Sequence, residues 1–278
     1  KDLSFSRFYY TLKSMDLGLD NKFAIVCASS KGLGFAVAKS LVDEGCEVVI
    51  SSSSEANLKN AEEKLDREKP KGSYHLIQAD LSNDDGIKTL YDFSISKSKR
   101  IDILINNCGG PDPGNFSKVN QKQLDLAINK NLKNVFALTK LVLPIMKSNN
   151  WGRIVNNTSS SAKQPIENLI LSNITRAAVS AFSKSISTEY AKFNIMVNNV
   201  LPGRILTDRI INIAKTKSEE SGISQDEILK ALGDDLPIGR IGKPEELSSL
   251  VAFLCSEKAS YITGNSINID GGLIKSLF

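Results

Sequence analysis

The sequence predicts an α/β protein built on an open, doubly wound parallel sheet of seven strands, with helices on both faces and a small lid inserted near its end. Three observations carry this. Apolar runs of strand length alternate with longer segments of helical period, the pattern of repeated βαβ units. The runs are continuous in Val, Ile and Leu rather than alternating, as a sheet covered on both faces requires. A glycine-containing turn, Cys27-Ala-Ser-Ser-Lys-Gly-Leu-Gly34, joins the first run to the first helical segment.

In chain order, strands are expected near Phe23 to Cys27, Glu47 to Ser51, Tyr74 to Ala79, Ile101 to Asn106, Arg153 to Asn157, Ile195 to Val200 and Ser266 to Ile269. Helices fit between them at Gly34 to Glu44, Glu55 to Lys69, Asp84 to Ser98, Gln121 to Asn149 with a break near Pro144, Asn173 to Lys192 and Pro244 to Ser256. From Arg204 to Gly242 the pattern changes to charge, glycine and short helical pieces, Asp208 to Thr216 and Gln225 to Leu232. Inserted between two regular elements at the strand ends, this segment reads as a lid that meets substrate. A single domain over 22–278 is expected, preceded by an extension over 1–21 in which Met15 opens a plausible start. Tyr9 and Lys13 in that extension have a Tyr-x-x-x-Lys spacing but precede the first strand, so they form a decoy.

Composition narrows the function. Hydrophobic residues at 41% and charged residues at 24% are globular values, far from those of disorder. The net charge of +4 is spread over helices without an Arg/Lys stripe interleaved with aromatics, which argues against nucleic-acid binding. No run reaches the length of a membrane span and no signal-peptide core is seen, so neither a membrane partner nor export is expected. Cys27, Cys46, Cys108 and Cys255 sit in or beside apolar segments without metal spacing, which suits buried free thiols in a reducing cytoplasm. The one histidine, His75, lies in an apolar run and reads as structural, leaving almost no material for a Ser-His-Asp triad or a metal site.

The turn from Cys27 to Gly34 places backbone N–H groups and a helix N-terminus where a pyrophosphate can meet them, although a tight strand-to-helix corner would look similar. Further short motifs follow in order: Asp80-Leu81, Asn106-Asn107-Cys108-Gly109, Asn131 in Lys-Asn-Leu, Pro202-Gly203 and Asp270-Gly271-Gly272. Together these resemble the short-chain dehydrogenase/reductase family over essentially everything from Lys22 onward, with Ala28 in place of the first glycine of the family's T-G-x-x-x-G-x-G turn. The resemblance implies a Rossmann-like dinucleotide site in which Ala28, Ser30, Lys31, Gly32, Leu33 and Gly34 cradle the phosphates. It further implies that Asp80 and Leu81 flank the adenine, Asn107 and Gly109 line the ribose and nicotinamide side, and Pro202, Gly203, Ile205 and Thr207 hold the carboxamide. Taken singly, Asp80 would also serve as a helix cap, Asn107 as a strand-end hydrogen-bonder and Gly271-Gly272 as a turn.

Cofactor choice turns on the end of the second strand, which runs into Ser51-Ser-Ser-Ser54 with no acid before Glu55. A carboxylate there would favour NAD; Lys31 with the hydroxyls of Ser52 and Ser53 favours the 2′-phosphate of NADP. The serines would also serve simply to cap the following helix, and the absence of an arginine near Ser53 keeps NAD open.

By the same resemblance the chemistry belongs to a tyrosine, a lysine four residues later, a serine and an asparagine. Alignment on Ala177-Ala178-Val179 puts Ser172 at the tyrosine position and Arg176 at the lysine position, with Ser159 as the oxygen-holding serine and Asn131 as the relay asparagine. Ser160 and Ser161 are register neighbours of Ser159. A serine hydroxyl is a far weaker acid than a phenol, and an arginine stays protonated, so the pair departs from the usual proton donor. On the helix, Ile174, Ala178, Phe182 and Ile186 form a stripe that would pack on the core, with Ser172 and Arg176 pointing roughly the opposite way. The Ser-Asn-x-x-Arg run, followed by Leu201-Pro-Gly-Arg-Ile and Thr207-Asp-Arg, resembles divergent members similar to 3-oxoacyl-acyl-carrier-protein reductases.

Two functions follow. The first is an NAD(P)-dependent oxidoreductase interconverting a carbonyl and a secondary alcohol, with a small-molecule substrate and catalytic groups Asn131, Ser159, Ser172 and Arg176. The second is a dinucleotide-binding sensor or scaffold with weak turnover or none. The resemblance also implies a homo-oligomer, tetramer or dimer, joined through the helices near Gln121 and Asn173 and through the last strand, with Ala177, Ala178 and Ala181 allowing close approach.

Overall fold

The computed structural model describes residues 15–277, so Tyr9, Lys13 and most of the expected extension lie outside the described residues. The chain runs β1 (Phe23–Val26), α1 (Gly32–Asp43), β2 (Glu47–Ser52), α2 (Glu55–Glu68), β3 (Ser73–Gln78), α3 (Asp84–Lys97) and β4 (Ile103–Asn106). It continues with α4 (Gln121–Ile128), a π turn (Asn129–Lys133), α5 (Asn134–Ser148), β5 (Gly152–Asn157), α6 (Ile170–Tyr190) and β6 (Ile195–Pro202). Last come α7 (Asp208–Ser221), α8 (Gln225–Asp234), α9 (Pro244–Cys255) and β7 (Ser266–Ile269).

The seven strands pair in parallel in the order β3-β2-β1-β4-β5-β6-β7. Strand order reverses between β1 and β4, and the crevice beyond their carboxyl ends is where such sheets bind ligands. Side chains alternate between two cores, which explains the continuous apolar runs. Ala24 and Val26 of β1 face Val37 and Leu41 of α1 and Leu247 and Val251 of α9. Phe23 and Ile25 face the other way, toward Leu90 of α3 and Leu138, Val142 and Met146 of α5. Helix starts follow side-chain caps: Ser54 accepts from Asn57 N–H, Asn83 from Gly86 N–H, and Asn120 and Gln123 form a reciprocal box.

Two expectations are corrected. The long segment from Gln121 is interrupted at Asn129–Lys133, not near Pro144, which lies inside α5 without ending it. The π turn adds a residue to the helical register, and Asn131 within it is fully buried. On α6 the core-facing side is Ser172, Thr175, Arg176, Val179, Ser183 and Ser187; Ile174 is 47% exposed and Phe182 half-buried. The physical reason is a polar ladder inside the sheet. Asn106, Asn156 and Asn199 are register partners on β4, β5 and β6. Asn156 accepts from Asn106 Nδ2 at 2.7 Å and donates to Ser183 Oγ at 2.8 Å and Asn199 Oδ1 at 3.2 Å. A helix docked on buried amides turns hydroxyls inward, because each buried polar group needs a partner.

His75 is a strand residue whose Nε2 lies 2.7 Å from Glu47 Oε1. Cys27, Cys46 and Cys255 are buried free thiols, while Cys108 is half-buried. Among the described residues no helix is long and apolar enough to cross a membrane.

Candidate active site

The turn after β1 extends the β1–β2 pairing. Ser29 N–H donates to Ser51 O at 2.8 Å, Ala28 N–H to Ser51 Oγ at 3.2 Å, and Ser29 Oγ to Val26 O at 2.6 Å. Ala28 and Gly32 both adopt left-handed backbone, at φ +45° and +58°; Ala28 therefore holds, as an alanine, a conformation that suits glycine. A Cβ on Gly34 would fall 2.4 Å from Ala28 O and 2.6 Å from Asn107 Nδ2, so helix α1 can approach the turn only with glycine there. Lys31 at the N-cap of α1 makes no side-chain cap, and Leu33 packs on the core beneath.

At the end of β2, Ser52 Oγ accepts from Ser30 Oγ at 2.9 Å and from Ser54 N–H at 3.2 Å. Capping of α2 falls to Ser54, so Ser53 keeps its side chain exposed, and Glu55 lies within α2. Asp80 accepts from Ser82 N–H at 3.0 Å in the turn before α3, whose cap is Asn83, and Leu81 packs on the second core.

Asn107 ties three strand ends together. Its Nδ2 donates to Cys27 O at 3.2 Å and Ala28 O at 3.0 Å, and its Oδ1 accepts from Asn157 Nδ2 at 2.9 Å. Two residues on, a Cβ at Gly109 would meet nothing within 4 Å. Past β6, Gly203 lies so close to Asp270 that a Cβ would sit 2.7 Å from its Cα. Ile205 and Gly242 form a parallel bridge that closes the neck of the insertion, and Thr207 stands at the N-cap position of α7 beside Gly32 without a side-chain cap bond.

Between these loops lies a buried polar cluster. Arg176, only 4% exposed, donates from Nη1 to Cys108 Sγ at 3.3 Å and Asn157 O at 3.4 Å, and from Nη2 to Cys108 O at 3.4 Å. Cys108 Sγ in turn donates to Asn131 Oδ1 at 3.2 Å, and Asn131 Nδ2 to Ala127 O at 3.2 Å. Ser172 Oγ stands 3.0 Å from Ser161 Oγ, whereas Ser159 Oγ accepts from Ser161 N–H at 3.1 Å. The hydroxyl that meets Ser172 is thus the register neighbour of Ser159. Ser172 and Arg176, one turn apart, share the inner face of α6. A cavity of about 510 Å³ is lined by Lys31 together with Asp208, Arg209, Asn212, Ile213, Thr216 and Lys217 on the lid.

A dinucleotide fits this arrangement. The first turn of α1 has N–H groups with no side-chain cap, the space over Gly109 is open, and the buried Nε of Arg176 has no partner. A family model described as enoyl-(acyl carrier protein) reductase matches residues 27–274. The Caenorhabditis elegans protein named dehydrogenase/reductase SDR family member 4 is 34% identical, the match covering 91% of this chain and 95% of that protein. The chain belongs to the short-chain dehydrogenase/reductase family.

Other short-chain dehydrogenase/reductases resemble it along their whole length. The NADPH-dependent reductase BacG of Bacillus subtilis (strain 168) is 32% identical, covering 93% of this chain and 100% of the relative. The crystal structure of L-sorbose reductase from Gluconobacter frateurii, complexed with NADPH and L-sorbose, matches with a TM-score of 0.91 at 31% identity, covering 95% of this chain and all of that one. Motif reading in this member missed Asn157, Cys108, Arg209 and Lys217. Asn157 follows the asparagine ladder by one residue and Cys108 sits inside a quoted motif, so both were in view; nothing in sequence alone aims Arg209 or Lys217 at the cleft.

Proposed function

We propose that this protein is an NADP-dependent oxidoreductase that interconverts a carbonyl and a secondary alcohol. One observation carries the reading: a phosphate-binding turn with Lys31 beside it and no carboxylate at the end of β2 leads to a polar cluster of Ser161, Ser172, Arg176 and Asn131 at the same strand ends. The three relatives named above are reductases or dehydrogenases, which supports turnover and lends nothing to a non-catalytic reading.

When bound, the nicotinamide supplies or accepts the hydride. The residues of this chain do the rest. Backbone N–H groups of Gly32, Leu33 and Gly34 hold the pyrophosphate, with Ala28 and Ser30 shaping the turn, and Lys31 with Ser52 and Ser53 takes the 2′-phosphate. Asp80 and Leu81 border the adenine, Asn107 and Gly109 the ribose, and Pro202, Gly203, Ile205 and Thr207 the carboxamide. Arg176 positions the nicotinamide ribose and places positive charge beside the oxygen on which negative charge develops. The substrate oxygen is held by Ser172, with Ser159 and Ser161 completing the hydroxyl group, and Asn131 orders a water that carries the proton from solvent. This is a divergent, 3-oxoacyl-acyl-carrier-protein-reductase-like site: Ser172 and Arg176 stand in for a Tyr-x-x-x-Lys pair, so orientation and electrostatics contribute more to the rate, and a built-in acid less.

The fold is read as one domain over 22–278 with a lid over about 204–242. A homo-oligomer is supported by an apolar face on α5 and α6, where the tilted rings of Phe136 and Phe182 meet with centroids 5.5 Å apart and Ile174, Ala177 and Ala181 are exposed. Four free thiols suit a reducing cytoplasm.

The test is titration of the purified protein with NADPH and NADH, then absorbance of the reduced nicotinamide with a panel of ketones and ketoses including L-sorbose. Tighter binding of NADPH with turnover that falls in Ser172→Ala is the expected result. Binding of neither cofactor overturns the reading.

A further inference from the structure

The lid's own arginines divide into two kinds. Arg204 pairs with Asp235 at 3.1 Å, and Arg240 forks onto Glu246 at 2.6 and 2.8 Å. Among the described residues Arg209 has neither an ion pair nor a side-chain hydrogen bond, and the same holds for Lys217 on α7 and for Lys31 on the turn. These three unpaired cations share the wall of one cavity, with Asp208 the only acid among its lining residues. Like charges gathered around a space large enough for a ligand group repel one another until an anion enters.

The seat of Arg209 is specific. A Cβ on Gly110 would lie 2.0 Å from its Nη1 and 3.0 Å from its Cζ, so the guanidinium rests on the loop after β4 in space that a side chain at residue 110 would take. Gly110 is two residues beyond Cys108, the partner of Arg176. At the other end, a Cβ on Gly32 would come within 3.8 Å of Thr207, the residue that precedes α7. The first turns of α7 therefore reach both the phosphate turn and the loop beside the polar cluster.

We propose that Arg209 and Lys217 of α7, with Lys31 on the same cavity, form a cationic clamp on a phosphate group of the dinucleotide. The clamp rests on the reading that the dinucleotide occupies the turn, and it extends that reading to residues on a separate element. Arg209 acts as a fork on phosphate oxygens and Lys217 as a point charge. Helix α7 is thereby tied to the phosphate turn through the bound anion as well as through its own packing.

Binding of NADPH, NADH, adenosine 2′,5′-bisphosphate and adenosine is measured by calorimetry on the full chain and on Arg209→Ala, Lys217→Ala, Gly110→Ala and Lys31→Ala, with Lys215→Ala as an α7 control. The clamp predicts a loss of about ten-fold in NADPH affinity for Arg209→Ala and for Lys217→Ala, a shallower salt dependence, and no change for Lys215→Ala. Gly110→Ala, which displaces the guanidinium without removing charge, should weaken NADPH less than Arg209→Ala does. An equal loss for NADH assigns the clamp to the pyrophosphate; a loss confined to NADPH and the bisphosphate assigns it to the 2′-phosphate. Wild-type affinities in both Arg209→Ala and Lys217→Ala overturn the clamp. If Lys31→Ala still weakens NADPH in that case, the cofactor reading survives; failure of the wild type to bind any nucleotide defeats the reading itself.

Discussion

Replacing Gly34 by alanine separates the tight packing of the phosphate turn from its contact with cofactor. The new Cβ would stand 2.4 Å from Ala28 O, 2.6 Å from Asn107 Nδ2 and 2.9 Å from Ser29 Cα, two of them backbone atoms that cannot rotate away. Helix α1 and the turn must move apart, which weakens the two bonds from Asn107 Nδ2 to Cys27 O and Ala28 O. Two part-buried hydrogen bonds at about 1 kcal/mol each, with overpacking strain of about 1–2 kcal/mol, give a destabilisation of about 3–4 kcal/mol. That is roughly 6–16 °C in Tm for a chain of this size. Gly109→Ala is the counterpart: its Cβ meets nothing within 4 Å, so stability should stay within about 0.5 kcal/mol of wild type while the methyl occupies space the nucleotide needs. Urea unfolding followed by circular dichroism, with NADPH binding followed by fluorescence, should show Gly34→Ala losing both stability and affinity and Gly109→Ala losing affinity alone. A Gly34→Ala protein with wild-type stability would refute the packing argument.

Ala28→Gly should stabilise slightly, by about 0.5 kcal/mol, because relief of left-handed backbone at φ +45° outweighs the added freedom of the unfolded chain; a lower urea midpoint would contradict this. Asn156→Ala breaks the buried ladder to Asn106, Ser183 and Asn199 and should cost about 2–4 kcal/mol in the same assay. Burial pushes the Cys27 and Cys46 thiols up to about 12 and raises that of Cys255 as well, whereas Cys108 is half-buried at the site. A disulfide reagent at pH 8 should therefore modify one thiol of the native protein quickly and four after unfolding, and more than one fast equivalent would be contrary to the structure. Hydrogen bonding to Arg240, with Lys243 N–H adding to it, depresses the Glu246 carboxyl to about 2. A depressed carboxyl contributes stability that is complete above its unfolded value near 4.5 and is lost as pH falls toward about 2. Glu246→Gln should accordingly flatten the stability profile across that window, with the difference shrinking in high salt because the pair is exposed; a profile unchanged by the substitution would count against the pairing.

The central strands were legible because β1 and β4 bury both faces and appear as continuous apolar runs, and the glycine turn was legible because Gly32 and Gly34 answer to backbone geometry that other residues resist. Helix α6 was misread for a physical reason. Hydropathy assigns the Ile174, Ala178, Phe182 stripe to the core, yet the sheet beneath α6 carries Asn156 and Asn199, whose amides require Ser183 rather than a hydrocarbon. Polar interiors of this kind invert the usual amphipathic signal. Pro144 likewise drew attention as a helix breaker, while the interruption fell at Asn131, where nothing in the local composition marks a π turn. Ser172 and Arg176 were found by position in the motif, but their burial, the part of Cys108 in joining Arg176 to Asn131, and the contact of Ser172 with Ser161 depend on tertiary packing that no spacing encodes.

The most direct test of the account is single-turnover oxidation of bound NADPH by a carbonyl panel, followed at the reduced-nicotinamide absorbance band with product alcohol quantified in parallel. The account predicts stoichiometric oxidation of NADPH and formation of alcohol with at least one carbonyl, slowed in Ser172→Ala and Arg176→Ala. Tight binding of NADPH with no oxidation by any member of a broad panel would contradict it.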